Sequence, residues 1–331
     1  MNIAKKLAIG VALAATLFAG AASAKDIKIG LVVKSLGNGF FEAANKGAQE
    51  AAKDLGSVQV IYTGPTSTTA EGQIEVINSL IAQGVDAIAI SANDPDAVVP
   101  ALKKAAQRGI KVISWDSGVA KAGRILQLNP SSNELIGKMC LTLAKDHLDG
   151  GKGDFAILSA TTTSTNQNIW IGEMKKQLKD FPGLNLVTTV YGDDLSDKSY
   201  REAQGLLTSH PEVKVIVAPT TVGVLAASQA VKDAGKIGKV YVTGLGLPSE
   251  MAGAIKSGAT KEFAIWNPID LGYSATQIAY RLVKGETDGK PGSEINAGRM
   301  GKIKVDANGE AAMADPFVYN ASNIDQFSKV F

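Results

Sequence analysis

Cysteine is all but missing from this chain. The single Cys140 among 331 residues cannot close an internal disulfide, so stability has to come from hydrophobic cores. It also lies too deep in the chain to be a lipid-acceptor cysteine behind an export signal. Histidine is nearly as scarce: His147, close to a predicted helix end, and His210, in a loop before Pro211, read as surface residues with no nucleophile beside them. G-x-S-x-G, H-E-x-x-H and Walker patterns are missing, and no stretch has the D-x-D-x-D-G spacing of a calcium loop or a Cys/His cluster suited to zinc. No catalytic residue, metal or cofactor is therefore expected. "GLGLPS" at 244–249 and "GNGFFE" at 37–42 begin like dinucleotide loops, but Ser249 and Glu42 stand where a third glycine belongs.

Long apolar runs are lacking too, with one exception at the start. "LAIGVALAATLFAG" follows Lys5 and Lys6 and precedes "AASA" and Lys25, the plan of a secretory signal with cleavage expected after Ala24. Removing 24 of the 331 residues leaves 307, enough for two ordinary domains. Lys5 and Lys6 leave with the signal, so the 34 basic residues fall to 32, matching the 32 acidic ones. A balanced chain of this kind gives no support for nucleic-acid or membrane-surface binding. An exported product without a DNA-binding head also argues against a transcription repressor.

What the sequence does have is rhythm. "IKIGLVV", "VQVIYTG", "VDAIAISA" and "IKVISWDSG" read as buried strands, separated by amphipathic helices such as "GFFEAANKGAQEAAKDLG", which stops at Gly56. After about residue 128 the pattern restarts through "GDFAILSAT", "LNLVTTVYG", "VKVIVAPT" and "GKVYVTGLG". Continuous apolar strands alternating with helices predict parallel sheets covered on both faces, that is, two doubly wound Rossmann-like α/β lobes with a cleft between them. The first lobe is expected to hold 25–127 plus about 267–300, the second 128–266 plus about 301–331, joined by a multi-strand hinge. Asn267 and Pro268 fit the start of a helix. "DLSDKSYRE" reads as a solvated helix start capped by Asp197 or Ser196, and the tail after about 300 reads as irregular, completing the two lobes by crossing between them.

Ligands of open parallel sheets bind beyond the carboxyl ends of the strands. That edge collects Lys34 through Phe41, Asn93, Asp116, Asn166, Gln167, Pro219, Thr221, Trp266 and Asn267. The chain's three tryptophans, Trp115, Trp170 and Trp266, fall on it or within a few residues. An indole face beside amides, a carboxylate and a lysine suits a small polyol with an apolar side. Of the two adjacent aromatics, Phe41 is expected to face the cleft and Phe40 to pack into the first lobe.

The stretches "VVKSLGNGFF", "YTGPTSTTAEGQIEVINSLIAQGVDAIAISANDPDA", "VISWDSG", "TSTNQNIW", "VIVAPTTVG" and "KEFAIWNP" together resemble type I periplasmic solute-binding proteins of ABC sugar importers. The ribose-binding class is meant, and within it the rhamnose-binding and autoinducer-2-binding subgroup. The resemblance implies a monomeric periplasmic protein that is not an enzyme, a monosaccharide between the lobes, and ABC permease subunits as partners. It implies ligand contacts at Lys34, Asp116, Gln167, Pro219 and Thr221. Asn166 stands where autoinducer-2 binders carry a second aspartate, and Thr221 where they carry alanine. Gly246 stands where ribose binders carry an aspartate. Fewer carboxylates together with Trp266 favour a deoxysugar, with L-rhamnose expected; an autoinducer-2 receptor or another pentose or hexose binder are the alternatives.

Overall fold

Residues 29–33 show how this sequence becomes a sheet. Ile29, Leu31 and Val33 join one core with Ala87 and Ala89, whereas Val32 joins another with Ile88 and Ile90. Burying both sets of an alternating strand requires a helix layer on each face, and each fully buried aliphatic side chain contributes about 1.5–3 kcal/mol. The structure, a computed structural model, describes residues 26–331. The expected export signal and its cleavage site lie outside the described residues.

The first half of the chain runs β1 (Ile27–Val32), α1 (Gly39–Leu55), β2 (Val58–Thr63), α2 (Ala70–Gln83), β3 (Ala87–Ile90), α3 (Val99–Gln107), β4 (Lys111–Trp115) and β5 (Gln127–Asn129). The pattern then repeats as α4 (Asn133–His147), β6 (Gly153–Ser159), α5 (Thr165–Gln177), β7 (Leu184–Tyr191), α6 (Ser196–Ser209), β8 (Val213–Ala218), α7 (Thr221–Asp233), β9 (Tyr241–Gly244) and α8 (Pro248–Ser257). It finishes with β10 (Glu262–Ile265), α9 (Pro268–Val283), β11 (Glu294–Asn296), β12 (Lys302–Lys304), β13 (Glu310–Ala312), β14 (Phe317–Asn320) and α10 (Ile324–Phe327).

One sheet has the order β13-β5-β4-β3-β1-β2, the other β7-β6-β8-β9, and every pairing in both is parallel. β10 pairs antiparallel with β14 and reaches the second sheet through a bridge between Leu245 and Ala264. These are the two doubly wound lobes the rhythm predicts. The chain crosses between them three times, at 130–132, 266–267 and 313–316.

Local signals set the boundaries. Asn38 Oδ1 accepts from Phe40 N at 3.0 Å to start α1, and Gly56 ends it with a left-handed φ of 75°. Asn267 Oδ1 accepts from Ile269 N at 2.9 Å, with Pro268 opening α9. α1 and α9 then lie backbone to backbone: a Cβ at Gly47 would sit 1.7 Å from Ile269 O, and one at Gly272 would sit 1.9 Å from Ala44 O.

Four features depart from the sequence reading. The tail is not irregular, since it forms β12 to β14, and β13 pairs with β5 in the first sheet, whereas the expected boundaries put it in the second lobe. Strands of three residues are too short to show a period. α6 starts without a side-chain cap, so neither Ser196 nor Asp197 caps it. His147 is buried, not on the surface: Leu143 O lies 2.7 Å from its Nδ1, and its Nε2 accepts from Lys261 N at 3.0 Å. Burial pulls its pKa down to about 4, leaving a neutral ring.

Candidate functional site

In each sheet the chain order reverses once, between β1 and β3 in the first and between β6 and β8 in the second, and that is where a doubly wound sheet opens a crevice at its carboxyl edge. The two crevices face each other. Lys34 and Asp116 follow β1 and β4 in the first lobe. Asn166, Gln167, Pro219 and Thr221 follow β6 and β8 in the second. Together with Phe40, Phe41 and Trp266 they line one small cavity between the lobes.

Lys34 is 2 % exposed and reaches across the cleft. Its Nζ donates to Asn166 Oδ1 at 3.0 Å, Gln167 Oε1 at 3.1 Å and Ser164 Oγ at 3.3 Å. Burial lowers its pKa from the usual lysine range, opposed by the charges of Asp116 and Asp194. Asp116 takes a left-handed φ of 55°. One of its oxygens accepts from Ser91 Oγ at 2.7 Å, the other from Asn166 Nδ2 at 2.9 Å. Burial raises its pKa, and the Lys34 charge does most to hold it down. The cavity floor is thus a row of fixed donors and acceptors, Lys34–Asn166–Asp116, with Gln167 Nε2 tied to Pro219 O at 3.4 Å.

The opposite side is apolar. Trp266 meets Phe40 edge-on at 6.2 Å and Trp170 at 5.6 Å between ring centres, with Leu245 and Ile265 completing the wall. Trp170 is anchored by Nε1 to Asn133 Oδ1 at 2.9 Å, whereas the buried Nε1 of Trp266 has no partner among the described residues. Phe40 is therefore not packed away in the first lobe. Both phenylalanines line the cavity, Phe40 toward Trp266 and Phe41 backed by Trp115 at 5.9 Å.

At the rim, three threonine hydroxyls donate to carbonyls of the opposing lobe at 2.9 Å each: Thr163 to Asn93, Thr165 to Gly118, and Thr68 to Asp193.

Two expected site residues do not line the cavity. Asn93 donates from Nδ2 to Lys34 O at 2.9 Å and so positions that lysine from behind. Asn267 is used up as the cap of α9, where its amide also donates to Asp270 at 2.8 Å. Trp115 lies in the core beneath Phe41. The lining also includes Asn38, inside the expected Lys34–Phe41 stretch, and Asp194, Thr220, Leu245 and Ile265, which are not among the expected ligand contacts. Asp194 follows β7, so the strand-end rule reaches it; the mixed charges of "DLSDKSYRE" disguise it as a solvated helix start.

The model of the periplasmic binding protein domain matches residues 29–287. The chain belongs to that family. It is 38% identical to an ABC transporter solute-binding protein from Clostridium phytofermentas crystallised with bound L-rhamnose, covering 93% of this chain and 99% of that one with a TM-score of 0.88. LsrB from Clostridium saccharobutylicum in complex with AI-2 is 25% identical over 91% of this chain and 99% of its own, with a TM-score of 0.87. The ribose import binding protein RbsB of Salmonella typhimurium is 31% identical over 291 residues, 86% of this chain and 95% of the relative. This family member is the periplasmic sugar-binding component of an ABC importer, a solute-binding protein and not an enzyme.

Proposed function

We propose that the sugar is L-rhamnose, taken up between the lobes and presented to the permease by hinge closure of a monomer about the three crossings. The observation that carries this reading is the division of the cavity into a hydrogen-bonding floor and an aromatic wall, Phe40, Trp170 and Trp266. Vicinal hydroxyls match Lys34, Asn166, Asp116 and Gln167, and the methyl of a 6-deoxyhexose matches the wall. Discrimination comes chiefly from the floor, because a buried polar group left unpaired costs about 1–3 kcal/mol, while one methyl contributes about 0.8 kcal/mol. A fully hydroxylated pentose gains less here: a side chain at Gly246 would meet Met251 at 2.7 Å, so that strand end offers no carboxylate. The similarity to the L-rhamnose complex points the same way.

Isothermal titration of the protein freed of its signal segment tests this against L-rhamnose, L-mannose, D-ribose, D-allose and autoinducer-2. Micromolar or tighter binding is expected for L-rhamnose. A preference for D-ribose or autoinducer-2 would replace the reading, and no heat with any of them would remove it.

A further inference from the structure

Asp193 and Asp194 occupy consecutive left-handed positions, φ 54° and 53°, in the loop after β7. Each such non-glycine residue costs about 1 kcal/mol or more, so something in the surroundings holds this turn. Two things do. Thr220, at the start of α7, donates its hydroxyl to Asp194 Oδ1 in a short hydrogen bond, and Thr68 of the first lobe donates to Asp193 O at 2.9 Å. The outcome is a carboxylate on the cavity lining, near enough to Lys34 and Asp116 for its charge to act on both. Asp194 Oδ1 is occupied by Thr220; Oδ2 accepts from no protein group among the described residues.

We infer that Asp194 is a ligand-binding residue, the second carboxylate acceptor for a sugar hydroxyl, and that closing the lobes fixes it in place. The inference rests on the reading that the cavity takes a monosaccharide. A lone carboxylate aimed at solvent needs neither a strained turn nor a threonine pin, and a turn needed only for chain reversal would not place its charge beside the Lys34 ammonium. The bond from Thr68 gives the timing: it comes from the other lobe, so the loop gains its second anchor only when the cleft is shut. Asp116 and Asp194 both line the cavity with Lys34, so two carboxylates share the site with its buried ammonium.

Asp194→Asn tests this, since the amide keeps the size of the side chain and can still accept from Thr220. The sugar panel is first titrated against the unaltered protein, and the tightest binder is then compared with its monodeoxy derivatives. The expected result is a loss of sugar affinity of about 10- to 100-fold in Asp194→Asn, with the sugar-free melting temperature unchanged. One monodeoxy derivative should bind the two proteins equally, because it lacks the hydroxyl that Asp194 accepts. Thr220→Val keeps the carboxylate and loses its pin, and should show a smaller loss confined to the same hydroxyl. Unchanged sugar affinity in Asp194→Asn, or an equal loss for every monodeoxy derivative, overturns the inference while leaving a sugar as the ligand. Failure of the unaltered protein to bind any sugar overturns the functional reading instead, and this assignment with it.

Discussion

Lys34 Nζ, from the first lobe, lies 3.0 Å from Asn166 Oδ1, from the second, and the same amide donates back across the cleft to Asp116 at 2.9 Å. One asparagine therefore reads both charges of the first lobe. Replacing Lys34 by Met leaves the oxygens of Asn166 and Gln167 without their donor and Asp116 without the cation that holds its pKa down. Sugar affinity measured by calorimetry should fall at least about 100-fold, given 1.5–3 kcal/mol per charged hydrogen bond. Lys34→Arg should not restore it, because a planar fork cannot aim one atom at three oxygens.

The aromatic wall makes a smaller, more specific prediction. Trp266→Leu removes the ring that meets Phe40 and Trp170 and leaves the polar floor intact. The preference for L-rhamnose over L-mannose, its 6-hydroxy counterpart, should shrink by about fourfold, the equivalent of one buried methyl. Competition titrations read that ratio directly, and an unchanged ratio would place the methyl elsewhere.

Thr163 and Thr165 donate across the rim to Asn93 O and Gly118 O without lining the cavity. They stabilise the shut cleft whatever it encloses. A Thr163→Val, Thr165→Val double variant should bind every accepted sugar more weakly by one common factor, about tenfold for two net hydrogen bonds. Small-angle scattering of the sugar-free variant should give a larger radius of gyration.

Much of this arrangement is legible in the sequence, and the limits have physical causes. Apart from the three-residue β5 and β13, both sheets follow from apolar runs of four or more residues, and the strand-end rule delivers Lys34, Asp116, Asn166 and Gln167 to one cavity. Asn267 shows the ambiguity of a short polar side chain at a helix start: it was placed both as a cap and as a ligand contact, and the cap uses its oxygen and its amide together. His147 defeats the reading differently. A histidine near a helix end looks solvated until β10, more than a hundred residues later, packs against it with two backbone N–H groups seeking an acceptor.

The α1–α9 contact should tolerate no added carbon. In an exposed helix, Gly→Ala stabilises by about 0.5–1 kcal/mol, and Gly205 in α6, with nothing within 4 Å of an added Cβ, should behave so. Gly47→Ala carries the same propensity gain, but its methyl would fall 1.7 Å from Ile269 O, a backbone atom that moves only with α9. Urea unfolding should show a net destabilisation of about 2 kcal/mol or more. Equal effects at the two glycines would mean the helices can separate at little cost.

Acid should weaken the fold through His147. Its folded pKa of about 4 lies below the ordinary value of 6.5, so between those values the unfolded chain binds a proton that the folded chain refuses. Stability from this residue is complete above pH 6.5 and is lost as pH falls toward 4, with roughly 3 kcal/mol at stake for a shift of that size. Asp116, whose folded pKa is raised by burial, acts in the opposite sense, since its penalty on the folded state eases as acid protonates it. The two are separated by difference. His147→Gln, whose amide can still accept from Lys261 N and donate to Leu143 O, should unfold at a lower urea concentration than the parent at pH 7.5. The gap should narrow steadily down to pH 4.5, because the variant has no imidazole to protonate. A gap that stays constant with pH would mean His147 does not titrate differently on folding.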